Sequence, residues 1–355
     1  MSAGLLIIST LIIVYIQAAI YKRWGLKGVT YSRSFGSSNV FEGEDVQMIE
    51  IISNHKLIPI LWLQLESEID PHLQFQKQAN LDIKHQHHRS FFSIMPFTRI
   101  TRKHTLKCSK RGFYSLKSAV LSCNDAFNIV QTYEELTLDA SILVYPKIIP
   151  IDNIKLSCHS WMGDTVVRRW IIDDPFMISG IKDYQYGDSM NRIDWKSTAR
   201  TGSIKVYNRD YTSNMKIIIL LNIQSNEDSW DDNTDVELME NAISYCASIA
   251  SYMMSKSIET GFCCNCHSSE NEKAPVLIPA GCSAGHINLL LESMAMMQLK
   301  RSVMFQSFMD NLPDNFINNA DFLVVTNYVD AQIEKSIQRI KDVGCAVEIL
   351  SLEEK

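Results

Sequence analysis

The segment of residues 180–206 holds the densest group of side chains that could do chemistry. It reads GIKDYQYGDSMNRIDWKSTARTGSIKV, so acidic and basic residues alternate around aromatic side chains. The candidate residues are Lys182, Asp183, Tyr184, Gly187, Asp188, Arg192, Asp194, Trp195, Lys196 and Arg200. Arginine, tryptophan and tyrosine dominate the binding energy of protein interfaces, so one hypothesis is a partner-binding surface. The other is an internal network between domains, in which arginine pairs with aspartate around a packed Trp195.

Catalysis by this segment is a much weaker hypothesis. It would require a nucleophile, or a pair of carboxylates with shifted pKa values, and the spacing indicates neither. We therefore predict no catalytic residue. A hydrolase with an unrecognised site is the most distant alternative.

Two smaller groups contain the residue types of metal or haem sites. Strand alternation would place His85 and His87 on one face, beside His88, where two ligands could meet. Residues 263–267, CCNCH, contain the Cys-x-x-Cys-His spacing of c-type haem attachment. We favour an exposed strand end for the histidines and buried strand thiols for the cysteines. The prediction is that the chain holds no metal and no cofactor.

Composition limits the class of protein. Of the 355 residues, 46% are hydrophobic and 21% are charged, which is typical of folded globular chains. The net charge of -6 gives no sign of the basic face that nucleic-acid binding usually needs, so we expect no nucleic-acid partner. The nine cysteines are odd in number and scattered, which favours free, buried thiols in a reducing compartment.

An uncharged apolar run covers residues 4–20, GLLIISTLIIVYIQAAI. At about 1.5 Å rise per residue it is roughly 25 Å long, slightly less than the hydrocarbon thickness of a bilayer. A core helix is seldom apolar on every face, and a signal peptide would need a basic start that MSAG lacks. We predict a transmembrane anchor within residues 1–28, with membrane contact through residues 4–21.

The residues that flank this run predict its orientation. Tyr21 and Trp24 suit the headgroup region, and Lys22 and Arg23 can reach towards it. Because the positive charges follow the apolar run, the positive-inside rule places the rest of the chain in the cytoplasm. The prediction is a single-pass protein of the cell membrane.

Residues 29–150 show short apolar runs separated by glycine, asparagine, proline and serine. Predicted strands cover residues 46–52, 58–65, 81–85, 100–108 and 112–121. No amphipathic helical pattern interrupts them. We predict an all-β, Ig-like sandwich domain.

Residues 213–355 alternate strand and helix patterns, beginning with a continuous apolar strand at residues 217–223, as in a parallel sheet buried on both faces. Further strands are predicted at residues 261–266, 322–326 and 346–350, and helices at residues 236–253, 287–297 and 331–343. Gly344 stands where a glycine ends a helix. The alternation predicts a doubly wound α/β domain with a parallel sheet. Residues 151–212, which include the charged segment, are taken as a connecting segment.

The charged segment resembles the signature of a bacterial family, the "domain of unknown function 58" proteins. The family pattern is Arg-Glu-Tyr, then Gly-Asp, Arg-x-Ile-x-Trp-Lys and Ala-Arg. Lys182-Asp183-Tyr184 replaces the first triplet, with both charges kept. The matching positions are Gly187-Asp188, Trp195-Lys196 and Ala199-Arg200, and Arg192 corresponds to the arginine of the pattern although it directly precedes Ile193. The similarity extends from about residue 40 to the end of the sequence.

This resemblance implies a membrane-anchored protein with a C-terminal von Willebrand A-like domain. It also implies a MoxR-type AAA+ ATPase as partner, in the maturation or assembly of other proteins, and no established enzymatic activity. Relatives usually carry two N-terminal spans, whereas one is visible here.

A von Willebrand A domain holds its metal with Asp-x-Ser-x-Ser after the first strand, because a hard cation prefers carboxylate and hydroxyl oxygens. The aligned positions here are Asn222, Gln224 and Asn226, with Ser225 between them. Amides without a carboxylate give a poor charge balance for Mg²⁺. We predict a degenerate, metal-free loop that can still bind a partner.

The leading functional hypothesis is a non-enzymatic, membrane-tethered adaptor for a MoxR-type ATPase. The alternative is a divalent-cation-dependent binding protein that uses the loop after the first strand of the α/β domain.

Overall fold

The computed structural model describes residues 2–75, 86–151, 173–185, 190, 193–211, 216–224, 235–268, 271–317 and 320–352. The chain divides into two units, Met1–Lys147 and Ile148–Lys355. Each unit has its own hydrophobic core.

Helix α1 (Ser2–Trp24) begins the first unit and carries no charge before its last turn, where Lys22 and Arg23 lie. Its residues from Gly4 to Trp24 are long and apolar enough to cross a membrane. Leu5, Ile8 and their apolar neighbours are exposed, so this helix is not the core of the unit. The prediction of an apolar N-terminal helix of membrane-spanning length is confirmed.

The rest of the first unit is rich in β-structure, as predicted. Its strands are β1 (Val29–Phe35), β2 (Asn39–Phe41), β3 (Asp45–Asn54), β4 (Ile60–Ile69), β5 (Leu73–Phe75), β6 (Gln86–Ile94), β7 (Arg99–Cys108), β8 (Gly112–Asn124) and β9 (Gln131–Tyr145). They form one sheet in the order β1-β3-β7-β5 and another in the order β2-β9-β8-β4-β6. The predicted strand at residues 81–85 lies outside the described residues.

The two sheets pack face to face, and their alternating apolar side chains form the core between them. Ile52 of the first sheet packs with Leu63 and Leu121 of the second. Met48 and Ile142 meet in the same way further along the strands. Burial of one face of each sheet is what the period of two along the strands predicts.

A buried ionic cluster also joins the two sheets. Arg33 Nη2 donates to Glu50 Oε1 at 2.6 Å, and both side chains are almost completely buried. Arg33 Nη1 donates to Ser67 Oγ of the opposite sheet at 3.0 Å. His104 Nε2 lies 3.0 Å from Glu50 Oε2, and His88 Nε2 lies 3.8 Å from Glu50 Oε1. The Glu50 carboxylate, on β3, thus lies at the centre of polar groups from four other strands, β1, β4, β6 and β7.

Burial shifts the pKa values in this cluster. Burial alone would raise the pKa of Glu50, but the hydrogen bond with His104 and the charge of Arg33 lower it to about 2. Burial lowers the pKa of His88 to about 4. Below pH 6.5 the unfolded histidine takes up a proton that the folded one does not, and below pH 4.5 the unfolded Glu50 does the same. The stability of this unit therefore falls as the pH falls, between about 6.5 and 2.

The second unit contains strands and helices in alternation. They are β10 (Asp173–Asp183), α2 (Trp195–Thr201), β11 (Lys205–Tyr211), β12 (Lys216–Leu221), α3 (Val236–Ser255), β13 (Glu259–Ser268), β14 (Asn271–Gly281), α4 (Ala284–Met296), β15 (Met297–Arg301), α5 (Phe305–Asp310), α6 (Asp314–Ile317), β16 (Ala320–Thr326), α7 (Ala331–Asp342) and β17 (Val347–Ser351). The main sheet has the order β14-β13-β12-β16-β17. Phe305 and Ile337 pack with Ile218 and Phe322 against one face of this sheet.

This sheet is mixed, which corrects the prediction of a purely parallel one. Strands β13, β12, β16 and β17 are parallel, but β14 and β15 pair with β13 in the antiparallel direction. Strand β14 contains Pro275 and Pro279, which weaken a strand pattern in the sequence. An edge strand tolerates proline, because one of its sides has no ladder to complete.

The ends of the helices agree with the sequence signals. The Asp235 side chain accepts hydrogen bonds from the backbone N–H groups of Glu237 and Leu238, so it caps α3. Gly344 has φ of 100° just after α7, the left-handed conformation that favours glycine at a helix end.

Replacement of Glu50 by glutamine tests the buried cluster. The variant leaves the Arg33 guanidinium buried without its counter-charge, which should lower the free energy of unfolding of the first unit by about 3–5 kcal/mol. Hydrogen exchange of the β3 and β7 amides measures this change.

Glu66→Gln is the matched control, since Glu66 pairs with Arg89 at 2.8 Å on the exposed surface. Its effect should stay below about 1 kcal/mol. Equal effects of the two substitutions would show that the buried cluster has no special role.

Candidate functional site

The charged segment folds around a short helix that is held by two antiparallel strands. Strands β10 and β11 pair, with Asp183 opposite Lys205. Beyond this pair, the Tyr184 N–H donates to Ile204 O at 3.0 Å, and the Asp194 N–H donates to Lys205 O at 2.8 Å. The two ends of the segment are therefore fixed to each other, and α2 lies between them.

Asp194 begins helix α2 as its N-terminal cap. Its buried carboxylate accepts a hydrogen bond from the Lys196 N–H at 3.0 Å. Hydrogen bonds from Ser197 and from the Tyr207 hydroxyl lower the pKa of this carboxyl. Gly202, with φ of 72°, ends the helix. Asp194 thus serves as a helix cap, and the pairing of arginine with aspartate in this segment stays a prediction.

Trp195, at the start of this helix, is 71% exposed. Lys196 and Arg200 are also exposed, and they lie one turn apart on the same side of the helix. The packing of Trp195 in a joint between domains stays a prediction. The helix presents an aromatic ring beside two positive charges.

The other candidate residues of the segment are less prominent. Asp183 forms an ion pair with Lys205 at 2.6 Å, Lys182 is exposed and Tyr184 is half-buried. Gly187, Asp188 and Arg192 lie outside the described residues.

The amides after strand β12 form a hydrogen-bonded network at the end of the sheet. Asn222 is fully buried, and its Nδ2 donates to Thr326 Oγ1 at 3.0 Å. Its Oδ1 accepts from the Gln224 N–H at 2.9 Å and from Asn265 Nδ2 at 3.3 Å. Gln224 Oε1 accepts from the Phe305 N–H at 3.2 Å. The side-chain oxygens of Asn222 and Gln224 therefore already accept hydrogen bonds from the protein.

This network is poorly suited to bind a metal ion. A cation would have to displace several buried hydrogen bonds, and the side chains of the network supply no carboxylate to balance its charge. Ser225 and Asn226, the other two positions of the aligned loop, lie outside the described residues. The absence of a metal stays a prediction.

Asn265 and Thr326 belong to this network, and the sequence analysis missed both. Each is a polar residue near the carboxyl end of an apolar strand, β13 or β16, next to β12. Neighbouring parallel strands end at the same edge of a sheet, so this pattern was available in the sequence.

His88 is buried, which corrects the expectation of an exposed strand end at this histidine. His85 and the side chain of His87 lie outside the described residues, and His88 lies near Glu50 and His104 inside the first unit. One possible ligand atom from each of these three residues lies within 4.8 Å of the other two. Arg33 already neutralises the carboxylate, and a second cation beside its guanidinium would be strongly repelled.

The cysteines of residues 263–266 are buried in strand β13, as the sequence indicated. Burial raises the pKa of Cys263 to about 12 and raises that of Cys264 well above its ordinary value. Buried, protonated thiols are poor nucleophiles and poor metal ligands.

Two substitutions distinguish the contribution of the Asp194 cap to the stability of α2 from that of the exposed Trp195 ring. Asp194→Ala removes the cap and should cost about 1 kcal/mol, which makes the α2 amides exchange hydrogen about fivefold faster. Trp195→Ala should change stability by less than about 0.5 kcal/mol, because the ring is exposed. Hydrogen exchange with mass spectrometry measures both. An equal acceleration by Trp195→Ala would mean that the ring is packed.

A comparison with protein families finds a match within the second unit. Residues 180–354 match the model of a family described as "Protein of unknown function DUF58". A search of curated proteins found no match.

Similar solved structures include the CARDB domain of a Pyrococcus furiosus protein in complex with di-metal ions. It is 12% identical over 33% of this chain and 94% of that chain, with a TM-score of 0.22. The sporulation control protein Spo0M of Bacillus subtilis is 12% identical over 32% of this chain and 49% of its own, with a TM-score of 0.18. Similarities this weak carry no conclusion about function. The match over residues 180–354 supports the assignment of this chain to the DUF58 family.

Proposed function

We propose that this protein is a membrane-anchored binding protein without catalytic activity, and that helix α2 is its contact surface for a partner protein. The observation that carries this proposal is the 71% exposure of Trp195 on a helix that is capped at both ends. Exposed tryptophan is costly in water, and it is among the residues that most often dominate binding at interfaces.

The local structure prepares Trp195 for binding. The Asp194 cap, the Gly202 end and the β10–β11 pairing fix the helix before any partner arrives. A fixed ring loses less conformational freedom on binding than one on a flexible loop. Pre-organisation of this kind raises affinity without additional contacts.

The charges beside the ring favour an acidic partner surface. Lys196 and Arg200 are like charges four positions apart, an arrangement that slightly destabilises an isolated helix. A negative surface would relieve their repulsion and would speed the encounter through electrostatic steering.

The proposal of a non-enzyme is supported by the network at the end of the sheet. Asn222, Asn265 and Thr326 satisfy one another's hydrogen bonds. Polar groups that are already paired cannot readily bind or polarise a substrate.

The membrane part of the proposal is supported by helix α1. Its apolar side chains are exposed and would be covered by lipid, and Lys22 and Arg23 follow the apolar run. The positive-inside rule then favours a single-pass protein with both units in the cytoplasm. The free cysteines of the described residues are consistent with the cytoplasm, because it is a reducing compartment.

The proposed partner is a MoxR-type AAA+ ATPase, in the maturation or assembly of other proteins. Its support is the resemblance of the charged segment to the DUF58 family, to whose model residues 180–354 match. The resemblance also implies that the second unit is von Willebrand A-like, which its parallel strands β13, β12, β16 and β17 support.

The test measures binding of the full chain, in lipid nanodiscs, to the purified MoxR-type ATPase of the same organism. Trp195→Ala should weaken binding by about 30-fold or more, as expected for an interface hot spot of at least about 2 kcal/mol. Val343→Ala is the matched control, because Val343 is also an exposed apolar side chain of the second unit.

Binding should be unchanged in this control. Absence of any binding by the unmodified chain would exclude the ATPase as partner. Unchanged binding by the Trp195→Ala variant would exclude α2 as the contact surface.

A further inference from the structure

Four connections meet at one end of the first unit, beside the end of helix α1. They are residues 25–28 between α1 and β1, 55–59 between β3 and β4, 95–98 between β6 and β7, and 125–130 between β8 and β9. The strand registers place them together, since Val29 pairs with Asn54, Ser53 with Arg99, Ile60 with Ile94 and Trp62 with Asn124. We call this the helix end of the sandwich.

Helix α1 is attached directly to these connections. The Tyr21 hydroxyl donates to Pro59 O at 2.8 Å. Lys56 Nζ donates to Trp24 O at 2.5 Å and to Gly25 O at 2.6 Å, which satisfies carbonyls at the end of the helix. The last turns of α1 are therefore fixed to the sandwich, and Ala18 and Tyr21 are buried against it.

The remaining part of α1 is short for a bilayer. Residues 4–17 precede the buried turns, and at 1.5 Å per residue they span about 21 Å, against about 30 Å for a hydrocarbon core. A span this short requires the bilayer to thin, or the attached unit to lie against the lipid. The helix end of the sandwich is the part that would meet it.

The helix end carries apolar side chains that no core covers. Leu57, Met95, Phe97, Phe127 and Ile129 occupy three of the four connections and are each 58–77% exposed. In contrast, the described connections at the opposite end, residues 36–38, 42–44, 70–72 and 109–111, hold no exposed large apolar side chain. Exposed apolar residues are ordinary when scattered, but those of the described connections of the sandwich lie only at the end that holds α1.

Phe97, an exposed ring at the helix end, has an energetically unfavourable backbone conformation. Its φ is 52°, in the left-handed region that a bulky residue rarely adopts. Glycine would relieve the strain at this turn. Such strain points to a role for the side chain itself.

The charges of the helix end suit anionic lipid. Lys22, Arg23 and Lys27 are exposed at or just after the end of α1, and Arg99 is exposed at the start of β7. Asp125 is the one acidic residue within the four connections. Its carboxylate accepts hydrogen bonds from the backbone N–H groups of Ile129 and Val130. Each exposed basic residue near an anionic surface contributes about 1 kcal/mol.

We propose that the helix end of the sandwich inserts its apolar loop tips into the surface of the same bilayer that holds α1. The tips lie at the headgroup–acyl boundary, and the basic residues contact anionic headgroups. This inference rests on the proposed membrane anchoring and adds a second, interfacial contact to it. The sandwich is then held against the membrane rather than on a free tether.

The test places a polarity-sensitive fluorophore at single cysteines of the full chain. The parent is Cys282→Ser, which removes an exposed thiol, and its residual labelling gives the background. Leu57→Cys and Phe127→Cys report on the helix end. Phe113→Cys is the matched control, because Phe113 is an exposed ring near the opposite end of strand β8. The proteins are reconstituted in vesicles of zwitterionic and anionic phospholipid that contain lipids brominated at known depths.

The inference predicts a blue-shifted emission and quenching by brominated lipid at residues 57 and 127, with a depth of about 5–10 Å into the boundary region. The probe at residue 113 should remain in water and unquenched. Flotation of the same vesicles tests anchoring separately. A chain that floats with vesicles while probes 57 and 127 stay in water would overturn the loop insertion and leave the anchor intact.

A chain that does not float would overturn the anchoring itself. Probes that are shielded in native membranes but not in pure lipid vesicles would also overturn the inference, since a membrane protein and not lipid would then cover the loops.

Discussion

The exposed apolar surface of helix α1 is the constraint on which the rest of this structure depends. The exposed side chains of α1 between Leu5 and Ile16 are as apolar as those of a core, yet neither sandwich core includes them. Water solvates such a surface poorly, at a cost of roughly 25 cal/mol per Å². A bilayer removes that cost. The hydrogen bond from Tyr21 to Pro59 and those from Lys56 to the last carbonyls of the helix fix the sandwich to the end of α1.

Both units bury polar side chains whose hydrogen bonds are completed by neighbouring groups. Glu50 in the first unit and Asn222 in the second are buried, and each is surrounded by groups that complete its hydrogen bonds. Polar groups that are satisfied in this way specify packing rather than chemistry. The exposed side chains that water solvates poorly are apolar, and they lie at the helix end of the sandwich and at Trp195. We therefore interpret the protein as a platform that binds a lipid surface and a partner protein.

Local patterns predicted the parts of this structure that depend on local physics. The apolar run of α1 and the glycine after α7 were both visible in the sequence, because each depends on a few neighbouring residues. The hairpin of β13 and β14 was missed, since its prolines are acceptable only on an edge that the sequence does not reveal. The contact of Glu50 with His104 spans 54 positions and leaves no local spacing to detect. In the candidate site, residue types alone suggested the candidates, whereas the roles of Asp194 as a helix cap and of Trp195 as an exposed ring required the three-dimensional structure.

The most direct test of the proposed contact surface is photo-crosslinking from position 195 in native membranes. A photoreactive phenylalanine analogue replaces Trp195, with the same replacement of Val343 as a control. The account predicts a crosslink from position 195 to a MoxR-type ATPase, and no such product from position 343. A crosslink from position 195 only to the first unit of the same chain would contradict it, because the ring would then belong to an internal joint.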